Sequence, residues 1–241
     1  MKAVCSTDDK YLYYKFVTTD KIHSSTKTKN VLFKYPELQT QDSFQKLNPL
    51  LIFIKKMSDG GYKIRNKEGI HFITFAVVEW VDVFTRKEYR DILLDSIRHC
   101  QKEKGLLVRA WCVMSNHVHL VISAKNNDTS DILRDFKKFS GKKIIKAMAE
   151  NEQESRRDWM LEIFKQAGAA NSRNSIYQFW RQDNQPKELF SEKFTDQKLN
   201  YIHNNPVEVG IVEKAEDYLY SSAKDYFYGK QCGLLEIDFL C

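Results

Sequence analysis

The sequence lacks any run of roughly 18 consecutive apolar residues, the length that a membrane-spanning helix needs. Its N-terminus carries Lys2 but continues with polar and charged residues at 6–10, so the apolar centre of a secretion signal is missing. Its five cysteines are an odd number without a Cys-x-x-Cys pair, which argues against a disulfide framework and against a cysteine-bound zinc. These absences predict a soluble protein of a reducing compartment, and we expect it in the cytoplasm.

What the chain does contain is enough apolar material for a sizeable core. Of its 241 residues 42% are hydrophobic and 13% are aromatic, which excludes wholesale disorder. The formal net charge of +6 weakly favours a polyanionic partner, because lysine and arginine release counterions when they neutralise phosphates. The charge alone does not identify that partner.

The first 56 residues differ from the rest of the chain. They contain no glycine, and their apolar residues follow neither a helical nor a strand period. Met57 is followed by turn-forming residues at 58–61 and then by clearly patterned sequence. We therefore expect residues 1–56 to be an uncertain N-terminal extension, or the result of a start codon placed too early, and residues 57–241 to form one functional domain.

A strand and a helix open this domain. Residues 71–78 are rich in β-branched and aromatic side chains, which indicates a strand. Thr85 followed by Glu88 has the spacing of a capping box, which predicts a helix start there, and Gly105 predicts its end.

Two further strands and a second helix follow. The pattern predicts strands over 106–114 and 117–123, joined as a hairpin by a tight turn at Ser115-Asn116. A second helix is expected from Thr129 or Ser130 to about Ala149.

The remaining segments are less regular. We expect a short helix at 159–167, a strand pair or extended arm at 176–190, and a helix over 195–204 that stops before Pro206. The order strand, helix, strand, strand, helix predicts an α+β fold of the ferredoxin-like split βαβ type. Helices would pack on one face of its antiparallel sheet and leave the other face for ligands.

A His-x-His pair lies on the third predicted strand. Strand alternation places His117 and His119 on the open face, opposite the apolar side chains of Val118, Leu120 and Ile122. Two imidazoles at this spacing can reach one cation. They can equally serve only as hydrogen-bonding groups, so the pair by itself does not establish a metal site.

A second group of candidates lies on the last predicted helix. Tyr201 and Asn205 are four residues apart and therefore share a helix face. The Asn205 carbonyl could complete a metal site with the two histidines while Tyr201 places its hydroxyl beside the same ion. Read without the histidines, Asn205 would be a helix cap and Tyr201 an ordinary packed or exposed residue.

The segment 113–120, Val-Met-Ser-Asn-His-Val-His-Leu, followed by 201–207, Tyr-Ile-His-Asn-Asn-Pro-Val, resembles the REP-associated tyrosine transposases. These form part of the larger single-tyrosine HUH superfamily of insertion-sequence-200-like transposases, in which two histidines flank a hydrophobic residue. The resemblance extends from about Gly61 to Leu235 and leaves residues 1–56 uncovered.

The resemblance implies a role for each candidate. His117 and His119 would be the metal-binding pair, Asn205 the third, polar ligand and Tyr201 the nucleophile. Residues 57–241 would be the catalytic domain, with the HUH active site on the sheet face opposite the helices. The chain would be a metal-dependent DNA endonuclease and strand transferase acting on single-stranded, hairpin-forming DNA, as a monomer or homodimer.

The implied chemistry is consistent with these side chains. A divalent cation that polarises a phosphate lets a tyrosine attack phosphorus, which gives a 5′-phosphotyrosine and a free 3′-hydroxyl. Because the covalent link retains the phosphodiester energy, another 3′-hydroxyl can reverse the attack without a nucleotide cofactor. Two imidazoles and an amide oxygen leave coordination positions open, which suits Mg²⁺ or Mn²⁺.

Further residues are candidates for DNA contacts. A basic stripe on the second predicted helix is formed by Arg134, Lys138, Lys142 and Lys146. We expect a buried stripe on its other side, formed by Ile132, Phe136 and Phe139. Trp180 offers an aromatic surface for an unpaired base and Arg181 a polar group for base edges, although a tryptophan at such a position more often belongs to the core.

Two other functions fit part of the pattern. A non-catalytic nucleic-acid-binding module would need exposed stacking aromatics on the central strands, where the third strand carries histidines instead. A metal-dependent phosphoesterase that uses water would make Tyr201 a bystander, and its activity would survive replacement of that tyrosine.

Overall fold

The computed structural model describes the backbone of residues 5–8 and 11–14 and, with side chains, residues 64, 66–126, 128–171, 176–182 and 184–240. The chain divides into two compact units, Met1–Asp59 and Gly60–Cys241. In the first unit β1 (Cys5–Asp8) pairs antiparallel with β2 (Tyr11–Tyr14), two strands that the sequence pattern did not predict. The rest of the predicted extension and the predicted turn at 58–61 lie outside the described residues.

The second unit is built on an antiparallel sheet of four strands. They are β3 (His71–Ala76), β4 (Leu106–Val113), β5 (His117–Ala124) and the two-residue β6 (Lys187–Glu188). The strands lie in the order β4-β5-β3-β6, and each neighbouring pair is antiparallel. This order follows from the split βαβ plan, and the predicted α+β fold class is confirmed.

β4 and β5 form the predicted hairpin. Met114 N donates to His117 O at 2.8 Å across the turn. Beyond the turn Val113 pairs with Val118 and Cys112 with His119. Because β5 lies between β4 and β3, the hairpin places both histidines in the interior of the sheet.

Two long helices cover the apolar face of the sheet, α1 (Lys87–Lys104) and α2 (Thr129–Glu150). Phe75 stands opposite Val118 in the β3–β5 pairing, and its ring contacts Phe136 of α2 at a centroid distance of 5.7 Å. The face that carries Val118 is therefore the one under α2, as predicted. α1 packs beside α2.

The predicted capping box at the start of α1 is wrong. Thr85 belongs to a short 3-10 turn, Val83–Thr85, and its hydroxyl donates to the Asp82 carbonyl at 3.0 Å. The helix begins two residues later, at Lys87, without a side-chain cap. Its end is as predicted, since Gly105 adopts φ 71°, a conformation that glycine takes without strain.

Three further helices complete the described part of the chain: α3 (Arg157–Ala169), α4 (Glu192–Glu208) and α5 (Ala223–Tyr228). Between α3 and α4 the predicted strand pair reduces to β6 and one isolated bridge from Trp180 to Val77. Within the described residues no helix has the length and hydrophobicity that a membrane span requires.

α4 extends beyond the predicted 195–204 at both ends. The Ser191 hydroxyl accepts from Phe194 N and caps the helix start. The helix also continues through Pro206, contrary to the predicted stop. Proline removes one backbone donor, and because only two helical residues follow it, the loss affects just the final turn.

Candidate active site

The two histidines of β5 converge at one point. Their Nε2 atoms lie 3.1 Å apart, and their ring centroids lie 4.6 Å apart. His119 is only 3% exposed, while His117 is partly exposed. Both imidazoles project from the sheet face opposite α2, because Val118 between them faces that helix.

α4 brings the other two predicted residues to the histidines. The Tyr201 ring lies 5.2 Å from the His119 ring, and Asn205 Nδ2 lies 3.4 Å from His119 Nε2. Asn205 is buried, whereas Tyr201 is 40% exposed and accessible to a substrate. Helices thus flank both faces of the sheet, whereas the sequence-based prediction placed them on one face only.

Hydrogen bonds to neighbouring side chains define the protonation of His117. Asn116 donates its Nδ2 to Asp82 Oδ1 at 3.0 Å and thereby turns its Oδ1 towards His117 Nδ1, 2.7 Å away. An amide oxygen only accepts, so His117 carries its proton on Nδ1. Its Nε2 therefore presents a lone pair towards His119, as a metal ligand must.

His119 is supported from the neighbouring strand. Thr74 stands directly opposite it in the β3–β5 pairing, and the Thr74 hydroxyl lies 2.8 Å from His119 Nδ1. A hydroxyl both donates and accepts, so His119 can hold its proton on Nδ1 and free Nε2 for a cation, or donate from Nε2 to His117. One proton or one cation can thus be shared by the two Nε2 atoms.

Burial keeps both imidazoles neutral. Desolvation lowers the pKa of His117 to about 4, although the Asp82 carboxylate acts in the opposite direction. The pKa of His119 is lowered to about 3, mainly by desolvation and also by unfavourable electrostatic interactions with His117 and Lys198. Neutral imidazole is the form that binds metal, so both ligands are ready at neutral pH.

The donor set fits a divalent cation. Ligands at adjacent corners of an octahedron with bonds of about 2.1 Å lie about 3.0 Å apart, close to the separation of the two Nε2 atoms. Among the described residues no group of three His, Cys, Asp or Glu side chains could hold a metal. The third group at this point is the Asn205 side-chain amide. Its Nδ2 faces His119 Nε2, and rotation of the amide by 180° would present its Oδ1 to the same place.

These pKa values predict an unusual pH dependence of metal binding. Between pH 7 and 5 both histidines are neutral in the folded protein, so Mn²⁺ should meet no competing proton there. We expect Mn²⁺ affinity to stay constant down to about pH 5 and to fall only as the pH approaches the lowered pKa values. Mn²⁺ titration followed by electron paramagnetic resonance measures this. A decline starting near pH 6.5, the range of an ordinary histidine, would contradict it.

Tyr201 is the tyrosine whose ring contacts His119. Other late tyrosines are engaged elsewhere: the Tyr218 hydroxyl donates to the Val113 carbonyl at 2.7 Å, and that of Tyr226 to the Arg109 carbonyl at 2.9 Å. Tyr220 is only 7% exposed. Among these four tyrosines, Tyr201 is the one that is both exposed and close to the histidines.

The prediction that Trp180 stacks on a base is wrong. Its side chain is only 4% exposed and its Nε1 donates to Ser140 Oγ at 3.0 Å. Its ring contacts those of Phe75, Phe84, Phe136 and Phe179. A large ring with a satisfied N–H in an aromatic cluster is a core residue, inaccessible to DNA.

The predicted basic stripe lies away from the histidines. Lys138, Lys142 and Lys146 are exposed on α2, which covers the other face of the sheet. Arg134 is paired with Asp131 and Asp135. The predicted buried stripe is correct at positions 132 and 136, but Phe139 is 48% exposed.

Several residues near the histidines were not found from the sequence. Trp80 is exposed and its ring lies 5.7 Å from that of His117, while the predicted Arg181 holds its guanidinium 5.5 Å from the Trp80 ring. The ammonium of Lys198 lies 5.3 Å from the Tyr201 ring. Lys198 precedes Tyr201 by three residues on the same helix, a spacing that could have indicated its position. No local pattern links Trp80 to His117.

Comparison with known proteins agrees with this fold. The family model for IS200-like transposases matches residues 68–166. A solved structure of a REP-associated tyrosine transposase bound to a REP hairpin is similar over 76% of this chain and 92% of its own, with a TM-score of 0.50 and 19% sequence identity. No protein in the curated set matches significantly.

These matches confirm the resemblance deduced from the motifs: the family model over residues 68–166 supports a transposase-type role in DNA processing, and the solved structure supports the fold. The family match includes β5 with its two histidines and ends before α4. Tyr201 and Asn205 therefore lie outside the residues that the family model matches.

Proposed function

We propose that this protein is a metal-dependent DNA endonuclease and strand transferase that cleaves single-stranded, hairpin-forming DNA through a 5′-phosphotyrosine on Tyr201 and then rejoins it. The observation that carries the proposal is the position of an exposed tyrosine 5.2 Å from one of two neutral, facing imidazoles. We further propose that it acts in the cytoplasm.

His117, His119 and Asn205 would hold Mg²⁺ or Mn²⁺. When bound, such an ion supplies Lewis-acid polarisation of a phosphate oxygen. Thr74 and Asn116 would orient the two imidazoles through their Nδ1 atoms. The chain needs no nucleotide cofactor, because the phosphotyrosine keeps the energy of the broken bond.

In the covalent step Tyr201 is the only nucleophile. Its Oη forms a bond to phosphorus while the bond from phosphorus to the 3′-oxygen of the preceding nucleotide breaks. The phenolic proton is released to solvent and the 3′-oxygen takes one up, which leaves a 3′-hydroxyl and a 5′-phosphotyrosine. Attack by a 3′-hydroxyl on the phosphotyrosine reverses the step, reforms the diester and frees Tyr201.

Two groups of basic residues would contact DNA. Arg181 lies beside Trp80 and close to the histidines, so it would contact the strand near the scissile phosphate. The exposed stripe on α2, with Arg134, Lys138, Lys142 and Lys146, would bind backbone phosphates of the folded hairpin at a distance from the chemistry. The DNA could be held by one protein molecule or by a homodimer.

The test is formation of a covalent adduct. Purified protein is incubated with end-labelled hairpin DNA in Mn²⁺, Mg²⁺ or chelator and resolved on a denaturing gel. We expect a metal-dependent, protease-sensitive adduct whose phosphorylated peptide contains Tyr201. Cleavage without any adduct would assign the activity to a water-using phosphoesterase, and hairpin binding without cleavage would indicate a recognition module.

A further inference from the structure

The group formed by His117, His119, Tyr201 and Asn205 is called the centre. Consecutive side-chain contacts extend from it in two directions, and each direction ends in an exposed aromatic group. We propose that unpaired DNA crosses the centre along these contacts, with one base stacked on Trp80 and another on Phe190 and Phe194. This inference rests on the proposed function and identifies how the single strand is held. The two aromatic groups are called the Trp80 platform and the Phe190–Phe194 platform.

The Trp80 platform is held in a costly conformation. Glu79 and Trp80 have φ angles of 50° and 54°, in the left-handed region that residues with a side chain rarely adopt. Two backbone hydrogen bonds hold the turn in place: Val78 N donates to Phe179 O, and Trp80 N donates to Val77 O. Strain of this kind persists where the surroundings enforce it and is concentrated at functional sites.

The strained turn displays the indole instead of burying it. Trp80 is 49% exposed and presents its ring beside His117, with an interplanar angle of 80°. The Arg181 guanidinium lies near the same ring. An exposed indole with a neighbouring cation, next to a metal-binding imidazole, suits the base and phosphate of one nucleotide.

The Phe190–Phe194 platform lies beyond Tyr201. Phe190 is 80% exposed, and its ring stacks on that of Phe194 at 5.5 Å and 23°. Lys198 connects this pair to the nucleophile, since its ammonium lies 5.3 Å from the rings of both Phe194 and Tyr201. Residues 194, 198 and 201 share one face of α4 because they are one helical turn apart.

The alternation of aromatic rings and positively charged groups indicates which kind of molecule binds along the two platforms. An apolar protein partner would leave the Lys198 ammonium without a counter-charge inside the contact. A base-paired stem keeps its bases stacked on each other and cannot present their faces to isolated rings. Unpaired DNA supplies both requirements, with bases for the two platforms and a backbone phosphate for Lys198.

Binding measured in chelator tests the proposal without catalysis. Fluorescence anisotropy compares a hairpin carrying unpaired flanks on both sides with the same hairpin lacking flanks. Each platform stacks one base, and loss of a base–aromatic stacking contact weakens binding by about tenfold. We therefore expect Trp80→Ala, and the double variant Phe190→Ala with Phe194→Ala, each to bind the flanked hairpin about tenfold more weakly. Affinity for the flankless hairpin should not change. Trp80→Phe, which keeps a ring at this position, should recover most of the lost affinity.

Phe139→Ala is the matched control, because Phe139 is also an exposed phenylalanine but lies on α2, across the sheet. Thermal denaturation checks that each variant is folded. Unchanged affinity for the flanked hairpin, or equal losses with both hairpins, would overturn the proposal. If the platform variants lose flank-dependent binding but the wild type forms no adduct with metal, the proposed function fails and the platforms stand. If the adduct forms and flank-dependent binding persists in the variants, the reverse holds.

Discussion

Replacement of Tyr201 by phenylalanine is expected to abolish the covalent DNA adduct and to lower the cleavage rate by about 10⁴-fold or more, the range seen when a catalytic nucleophile is removed. The change removes only the hydroxyl and keeps the ring that contacts His119 and Phe72. Because Tyr201 is 40% exposed, the variant should fold like the wild type. Single-turnover cleavage of end-labelled hairpin DNA, with Mn²⁺ in excess, measures the effect.

The matched control is Tyr228→Phe, which removes the hydroxyl of another exposed tyrosine, 55% exposed on α5. It should cleave DNA at the wild-type rate. Hairpin affinity in chelator should be the same for both variants and the wild type, which separates loss of chemistry from loss of binding. Cleavage that survives in Tyr201→Phe would make water the nucleophile and remove the basis for strand transfer.

Local patterns predicted much of the fold and the centre. Strand alternation correctly separated the face of His117 and His119 from the face of Val118, because that alternation is a property of the extended backbone itself. Helical spacing likewise placed Tyr201 and Asn205 on one face of α4. The hairpin and the α+β class followed from the order of these segments.

What local patterns missed depends on contacts between distant segments. Thr74 supports His119 only because β3 pairs with β5 in one register, and Trp80 reaches His117 only because a strained turn follows β3. Trp180 resembles a stacking residue in sequence, but its burial is decided by the surrounding phenylalanines. Pro206 does not stop α4, because its position in the last turn of the helix makes its cost small.

Replacement of His119 by alanine is expected to eliminate metal binding and to reduce cleavage about a thousandfold, since Lewis-acid stabilisation of a phosphate contributes several kcal/mol. Wild-type protein at a Mn²⁺ concentration about 100 times its Kd should gain about 2.7 kcal/mol of stability, seen as a higher melting temperature. The variant should show no such shift. Differential scanning calorimetry with and without Mn²⁺ measures this independently of activity.

The variant also loses the hydrogen bond to Thr74 and the stacking of His119 on Phe72, so its metal-free stability should fall. His119→Gln, which retains a polar side chain, gives a second variant with less damage to packing. His99→Ala is the control, because His99 is exposed on α1 and stacks on Phe139, away from the centre. A Mn²⁺-dependent shift that persists in both His119 variants would mean that the metal binds elsewhere. A shift that is lost in both but kept in His99→Ala requires an ion held by the facing imidazoles, the condition on which attack by Tyr201 depends.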